Sequence, residues 1–290
     1  MKKALLLFHF ISFAMFFCQA QTWTGSSSTD WNNGGNWSPT GVPSSSSSIT
    51  IPAGLVNYPK LTSSVVVSII NMQPGSRLDF NGFSLGITSV ASNYNYIDGA
   101  TLLNSSASTD IVINLNTGNT SYTSYIRNST FNDNVIVNLT GTNNFIEGDG
   151  SSPNIYNGSA TFNVNASLPV TLSQSVPSTF NSHVSIVRTV AGTSNIFNTG
   201  ANISGNFSYT SNVSGSTTLG TQSARTAING MVNISANYNG TPDFFNLYKL
   251  VNQTSGGTVS IVGSRGFSVI NDTLKVASFS INRLPKVDFP

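Results

Sequence analysis

The chain is 290 residues long, 8% charged and 39% hydrophobic, with a formal net charge of +2. Its hydrophobic share sets it apart from charge-extended disordered chains, and the lack of a basic stretch argues against nucleic acid as a partner. The polar remainder is Asn, Ser, Thr and Gly, with 36 Asn and Glu147 as the single Glu, so helices of useful length are not expected.

Lys2 and Lys3 precede an apolar run from Ala4 to Phe17, which is followed by Cys18-Gln19-Ala20. That layout predicts a secretory signal peptide over residues 1–20, cut after Ala20. The apolar run is shorter than the roughly 20 residues a membrane helix needs, and the bulk of Phe17 disfavours Cys18 as a lipid-attachment site. Cleavage removes the one cysteine, so the mature chain has no disulfide and no thiolate metal site. It also leaves 10 Lys and Arg against 10 acids, a formally neutral protein. The expected location is secreted or cell-surface, with no membrane span after cleavage.

Residues 21–58 hold all three Trp, in Trp23-Thr24-Gly25, Asp30-Trp31 and Asn36-Trp37-Ser38. Gly41-Val42-Pro43, Ile49-Thr50-Ile51-Pro52 and Tyr58-Pro59 follow. Three spaced Trp ahead of a repeat array predict a hydrophobic cap; the alternative is a carbohydrate platform, since indole faces stack on sugar rings.

From residue 59 to 262 one pattern recurs: an apolar residue, often followed by Asn, then apolar residues four and six positions on. Clear copies start at Phe131 (Val135, Val137), Phe180 (Val184, Ile186) and Ile228 (Val232, Ile234). Tyr156 (Ala160, Phe162) and Ile203 (Phe207, Tyr209) fit, and weaker copies start at Leu61, Phe83 and Ala107. Starts fall 22 to 25 residues apart, and a ninth copy begins at Ser255 with Val259 and Ile261. Residues two apart on a strand share a face. A second strand is expected around Tyr125-Ile126, Phe145-Ile146, Val170-Leu172, Ile196-Phe197 and Thr218-Leu219. Two or three short strands in about 24 residues suit one coil of a β-helix; the leucine-rich repeat needs a different apolar spacing and a helical return. The predicted fold is all-β, a right-handed parallel β-helix with a Trp-rich N-terminal cap. Residues 263–290 form a last coil or an irregular end.

Residues 22–58 resemble the start of secreted β-helix surface proteins of the type IX-secreted, adhesin-like kind and, more distantly, autotransporter passengers. The resemblance rests on Trp23, Gly25, Trp31, Asn36, Trp37, Ser38, Gly41, Pro43, Ile49, Ile51 and Pro52, with Thr-Phe-Asn openings at Thr130, Thr161 and Thr179. It implies surface display, adhesion or matrix formation. The ending from Leu284 to Pro290 departs from the sorting domain such chains carry.

Catalytic signals are weak. Polysaccharide hydrolysis needs paired carboxylates about 5–10 Å apart, and the acids here are scattered: Asp30, Asp79, Asp98, Asp110, Asp133, Glu147, Asp149, Asp243, Asp272 and Asp288. Glu147 and Asp149 are two apart, but Gly148 and Gly150 predict an exposed turn. Asp110 and Asp133 are one period apart yet occupy different pattern positions. His183, next to Val184, is expected to point outward. Asp272-Thr273-Leu274 resembles a short O-glycosylation site of such surface proteins. No catalytic, cofactor-binding or metal-ligating residue is assigned. The leading expectation is a structural or adhesin-like solenoid without catalysis, with glycans or surface proteins as partners; the alternative is a carbohydrate-binding or polysaccharide-cleaving β-helix.

An isolated coil cannot fold alone, because a repeat is stable only through its interfaces. Val184→Asp therefore places an unpaired charge in the stack and should cost several kcal/mol, about 3 or more. A variant that keeps the wild-type melting temperature and β-type circular dichroism contradicts this register.

Overall fold

The computed structural model describes residues 20–89, 93–106, 108–118, 122–165, 167–238, 244–264, 266–270 and 273–283. The leader with Cys18, together with Ala107, Asp243, Asp272, Asp288 and the stretch 284–290, lies outside the described residues. Segments rich in Val, Ile, Thr and Phe form short strands, and a 3-10 turn at Gly34–Asn36 is the one helical element among the described residues. No helix among them is long and apolar enough to cross a membrane.

Three sheets of 12, 10 and 8 strands run along the molecule. Each strand of the repeats pairs in parallel with its equivalent in the neighbouring coil. A coil visits each sheet once: Val135–Thr140 in the ten-stranded sheet, Phe145–Glu147 in the twelve-stranded and Ile155–Tyr156 in the eight-stranded. The protein is an all-β solenoid. The second strand anticipated around Tyr125, Phe145, Val170, Ile196 and Thr218 is the twelve-stranded sheet.

Strand alternation explains the core. Odd and even positions face opposite ways, and the inward rows stack into columns. In the ten-stranded sheet Ile113, Val137, Phe162, Ile186, Tyr209 and Ile234 lie in register and are buried. In the eight-stranded sheet Phe131, Tyr156 and Phe180 stack with centroids 4.8 and 4.6 Å apart and planes within 10° of parallel. That spacing is the strand separation itself, so ladder hydrogen bonding and ring stacking are satisfied by one geometry. Val184 and Val232 are buried, as the repeat requires.

The outer copies are shifted relative to the sequence reading. Val65 lies opposite Leu85, which lies opposite Ile113, and Val259 lies opposite Ile234. The copies begun at Leu61 and Ser255 are thus displaced by two residues; the one begun at Phe83 is displaced by four, since Ile87 faces Leu115. Even displacements keep every side chain on its own face, so the apolar pattern is blind to them. The positions equivalent to Phe131 in the early coils are Leu102 and Leu78. A longer turn separates Leu102 from Ile111 than separates Phe131 from Val135.

The Trp residues close the first coil. Trp23 and Trp31 are fully buried and Trp37 is 2% exposed. Trp37 meets both partners edge-on, at 5.0 and 4.9 Å between centroids. Trp23 Nε1 donates to the Asn57 carbonyl and Trp37 Nε1 to the Trp31 carbonyl. Asn36 is buried beside them, accepting from the Ser27 and Ser28 amides and donating to Ser28 Oγ and the Asp30 carbonyl. Gly25 adopts φ +59°, and a Cβ there would run into the Asn57 carbonyl oxygen. The carbohydrate platform expected as an alternative on these three Trp is overturned, because no indole face is left to solvent. Trp37→Ala should cost about 3–5 kcal/mol, measured as a lowered urea midpoint; a shift below a quarter of that range contradicts the cap.

Candidate functional site

The outward rows carry ladders of polar side chains. Asn138 Nδ2 donates to Asn114 Oδ1 and Asn163 Nδ2 to Asn138 Oδ1, both at 2.8 Å. A second ladder joins Asn157 to Asn132 and Asn181 to Asn157, at 3.1 and 2.9 Å. Ser159 with Ser182, and Ser185 with Ser208, extend the theme. In-register parallel coils place identical amides one strand spacing apart, and amide ladders of this kind reinforce the stack.

Most described carboxylates are taken up locally. Asp30 accepts from the Asn32 amide and Thr62 Oγ1, and Asp79 from the Asn81 and Ser105 amides while facing Lys60 at 3.8 Å. Asp133 accepts from the Asn104 amide, and Asp149 from Ser175 Oγ. Asp110 and Asp133 are not register partners, because Ile111 pairs with Val135 and so sets Asp110 beside Asn134. His183 is exposed, and its Nδ1 accepts from the Asn206 amide. Among the described residues no group of three or more His, Cys, Asp or Glu is placed to hold a metal ion.

Glu147 corrects the exposed turn expected from Gly148 and Gly150. Phe145, Ile146 and Glu147 alternate in, out, in, so the carboxylate enters the core between Ile126 and the next coil. Glu147 is fully buried, while Asp149 is only half-buried beyond the turn, so the pair is not brought together. Asn154 Nδ2, Ser178 Oγ and Tyr156 OH donate to Oε1, and the Ser173 amide donates to Oε2. Burial pushes the Glu147 carboxyl above its ordinary 4.5 against the pull of these four donors. Burial and the adjoining Glu147 hold the Tyr156 phenol well above its usual range. Arg188 is likewise turned inward, at the position of Leu139 and Val164. Its guanidinium donates to the Leu168, Val190 and Thr193 carbonyls and to Ser194 Oγ. A Cβ at Gly192 would collide with that guanidinium.

Sequence reasoning also missed an aromatic patch on the twelve-stranded sheet. Tyr96 and Tyr125 are register partners on the outer face, stacked at 5.2 Å and 9°. Tyr94 packs edge-on to Tyr122 at 5.0 Å and tilts against Tyr96 at 5.9 Å. The Arg127 guanidinium lies 4.7 Å from the Tyr96 ring centre and pairs with Asp98 at 2.9 Å. The available signal was the two-residue spacing of Tyr94 and Tyr96 beside a strand already marked by Tyr125.

A family model described as a domain of unknown function (DUF8693) matches residues 22–135. The match takes in the Trp cap and the first coils and stops as the strand Val135–Thr140 begins. No curated protein and no solved structure matches the chain.

The raised Glu147 pKa has a definite sign in stability. Between the ordinary 4.5 and the raised folded value, the folded protein binds the proton and the unfolded chain does not. The contribution of Glu147 to stability is therefore fully present below that window and is lost as pH rises through it. Thermal melts from pH 4 upward should show this decline in the wild type, and Glu147→Gln should flatten it. The Gln variant also presents a donor to the Ser173 amide, an unmade hydrogen bond worth about 1–3 kcal/mol.

Proposed function

We propose that this chain is an exported, non-catalytic β-solenoid that serves outside the cell as a stalk, adhesin-like element or matrix component. The coil-to-coil registration of uncharged side chains carries the reading: Asn114, Asn138 and Asn163 on one row, Asn132, Asn157 and Asn181 on another. Such rows offer repeated donors and acceptors without net charge, a surface matched to neutral polar polymers rather than to polyanions.

Two further points support it. The signal-like start, Lys2 and Lys3 before the run Ala4 to Phe17, favours export, and so does the resemblance of residues 22–58 to surface β-helices. The carboxylates Asp30, Asp79, Asp133 and Asp149 hold turns together instead of converging across a groove. The fold by itself does not name a ligand.

In the native host the protein should be recovered outside the cytoplasm with Gln21 as its first residue by N-terminal sequencing. Incubation with neutral and acidic polysaccharides should liberate no reducing ends or unsaturated products. Retention inside the cell with the leader intact, or turnover of any polysaccharide, overturns the proposal.

A further inference from the structure

The tyrosine ladder ends abruptly, and the way it ends defines a site. One face of Tyr96 is covered by Tyr125 in the following coil. In the preceding coil the register partner is Asn71, and before it Thr50. Both are shorter than Tyr, so the outer surface drops by a step at the Tyr96 ring. A cleft of about 190 Å³ occupies this step, floored by Ile69, with Ser48 and Thr50 at its rim, and walled by Asn71, Asn93, Tyr94 and Tyr96. Tyr94 is 38% exposed, enough for a ring edge to meet a ligand.

The chemistry of this cleft is specific. Among the described residues no charged side chain lines it. Arg127 and Asp98, beside Tyr96, neutralise each other at 2.9 Å. An aromatic face, an apolar floor and side-chain amides at the rim suit a ligand with an apolar ring face and polar edges. Desolvation raises the Tyr96 phenol above its usual value, so at neutral pH it is an uncharged donor and acceptor.

We infer that this cleft is a carbohydrate subsite that seats one pyranose ring of a neutral polysaccharide against Tyr96, with Tyr94 and Asn71 meeting its edges. The inference rests on the proposed extracellular, non-catalytic role and gives that surface a ligand class. Ala20 also lines the cleft. Cleavage after Ala20 removes that residue and leaves the Gln21 α-ammonium group beside Ile49, at the margin of the cleft in the mature chain.

The test uses the mature chain from Gln21 onward, titrated by calorimetry with cellohexaose, chitohexaose and mannohexaose, each neutral. At least one should bind. Tyr96→Ala should weaken binding about tenfold, the upper end of one aromatic stacking contact. Tyr96→Phe should keep most of the affinity, because the ring face matters and not the hydroxyl. Thr218→Ala, on the same outward row but several coils away, should change nothing. Each variant's melting temperature reports folding separately. Binding that survives Tyr96→Ala but is lost with Asn138→Ala moves the ligand to the amide ladders and overturns the subsite while leaving the proposed function standing. The subsite is also overturned if none of the three oligosaccharides binds, or if the chain self-associates in sedimentation and Tyr96→Ala abolishes the association. Turnover of a bound sugar sinks the non-catalytic role instead.

Discussion

The constraint on which everything else depends is that parallel coils lie in register at one strand spacing. Whatever residue occupies a position meets its own equivalent above and below. Apolar on apolar excludes water, ring on ring stacks, and amide on amide bonds head to tail, as Phe131, Tyr156 and Phe180 do inside and Asn114, Asn138 and Asn163 do outside. Like charges so placed would repel. The low charge content of this sequence, 8% of residues, accords with that rule.

The exceptions are informative because the rule is strict. Glu147 follows Ile126 in its column, and Arg188 follows Leu139 and Val164 in its own. Neither meets a partner of its own kind, and neither pairs with the other. Each is saturated instead by neutral groups: four donors around the carboxylate, three carbonyls and a hydroxyl around the guanidinium. Such networks are tolerable only when complete. They sit where the chain turns a corner, and there they tie consecutive sheets together: Glu147 reaches Asn154 and Tyr156 in its own coil, and Ser173 and Ser178 in the next.

Periodicity made the coil legible. The spacing of Phe131, Tyr156, Phe180, Ile203 and Ile228 marks one strand of each coil, and the apolar pairs that follow mark another. Early coils were misread because their turns differ in length, and a two-residue slip leaves the inward face unchanged. Glu147 was misjudged because a glycine on its far side signals a turn but does not say on which side of the strand the preceding residue lies. The tyrosine patch escaped notice for another reason: Tyr96 and Tyr125 come from different coils, and outward positions carry no apolar rhythm to reveal them.

The strand Trp37–Ser38 runs opposite to every other strand of its sheet, pairing with Ala20–Trp23 through Thr22 and Trp23. Exposed sheet edges are templates for further strands, and proteins must blunt them. An incoming parallel segment would find hydrogen-bonding groups spaced for the opposite direction, over only two residues, with bulky indoles behind them. At this end the twelve-stranded sheet therefore discourages recruitment of another molecule's strand by a chain reversal and not by charge.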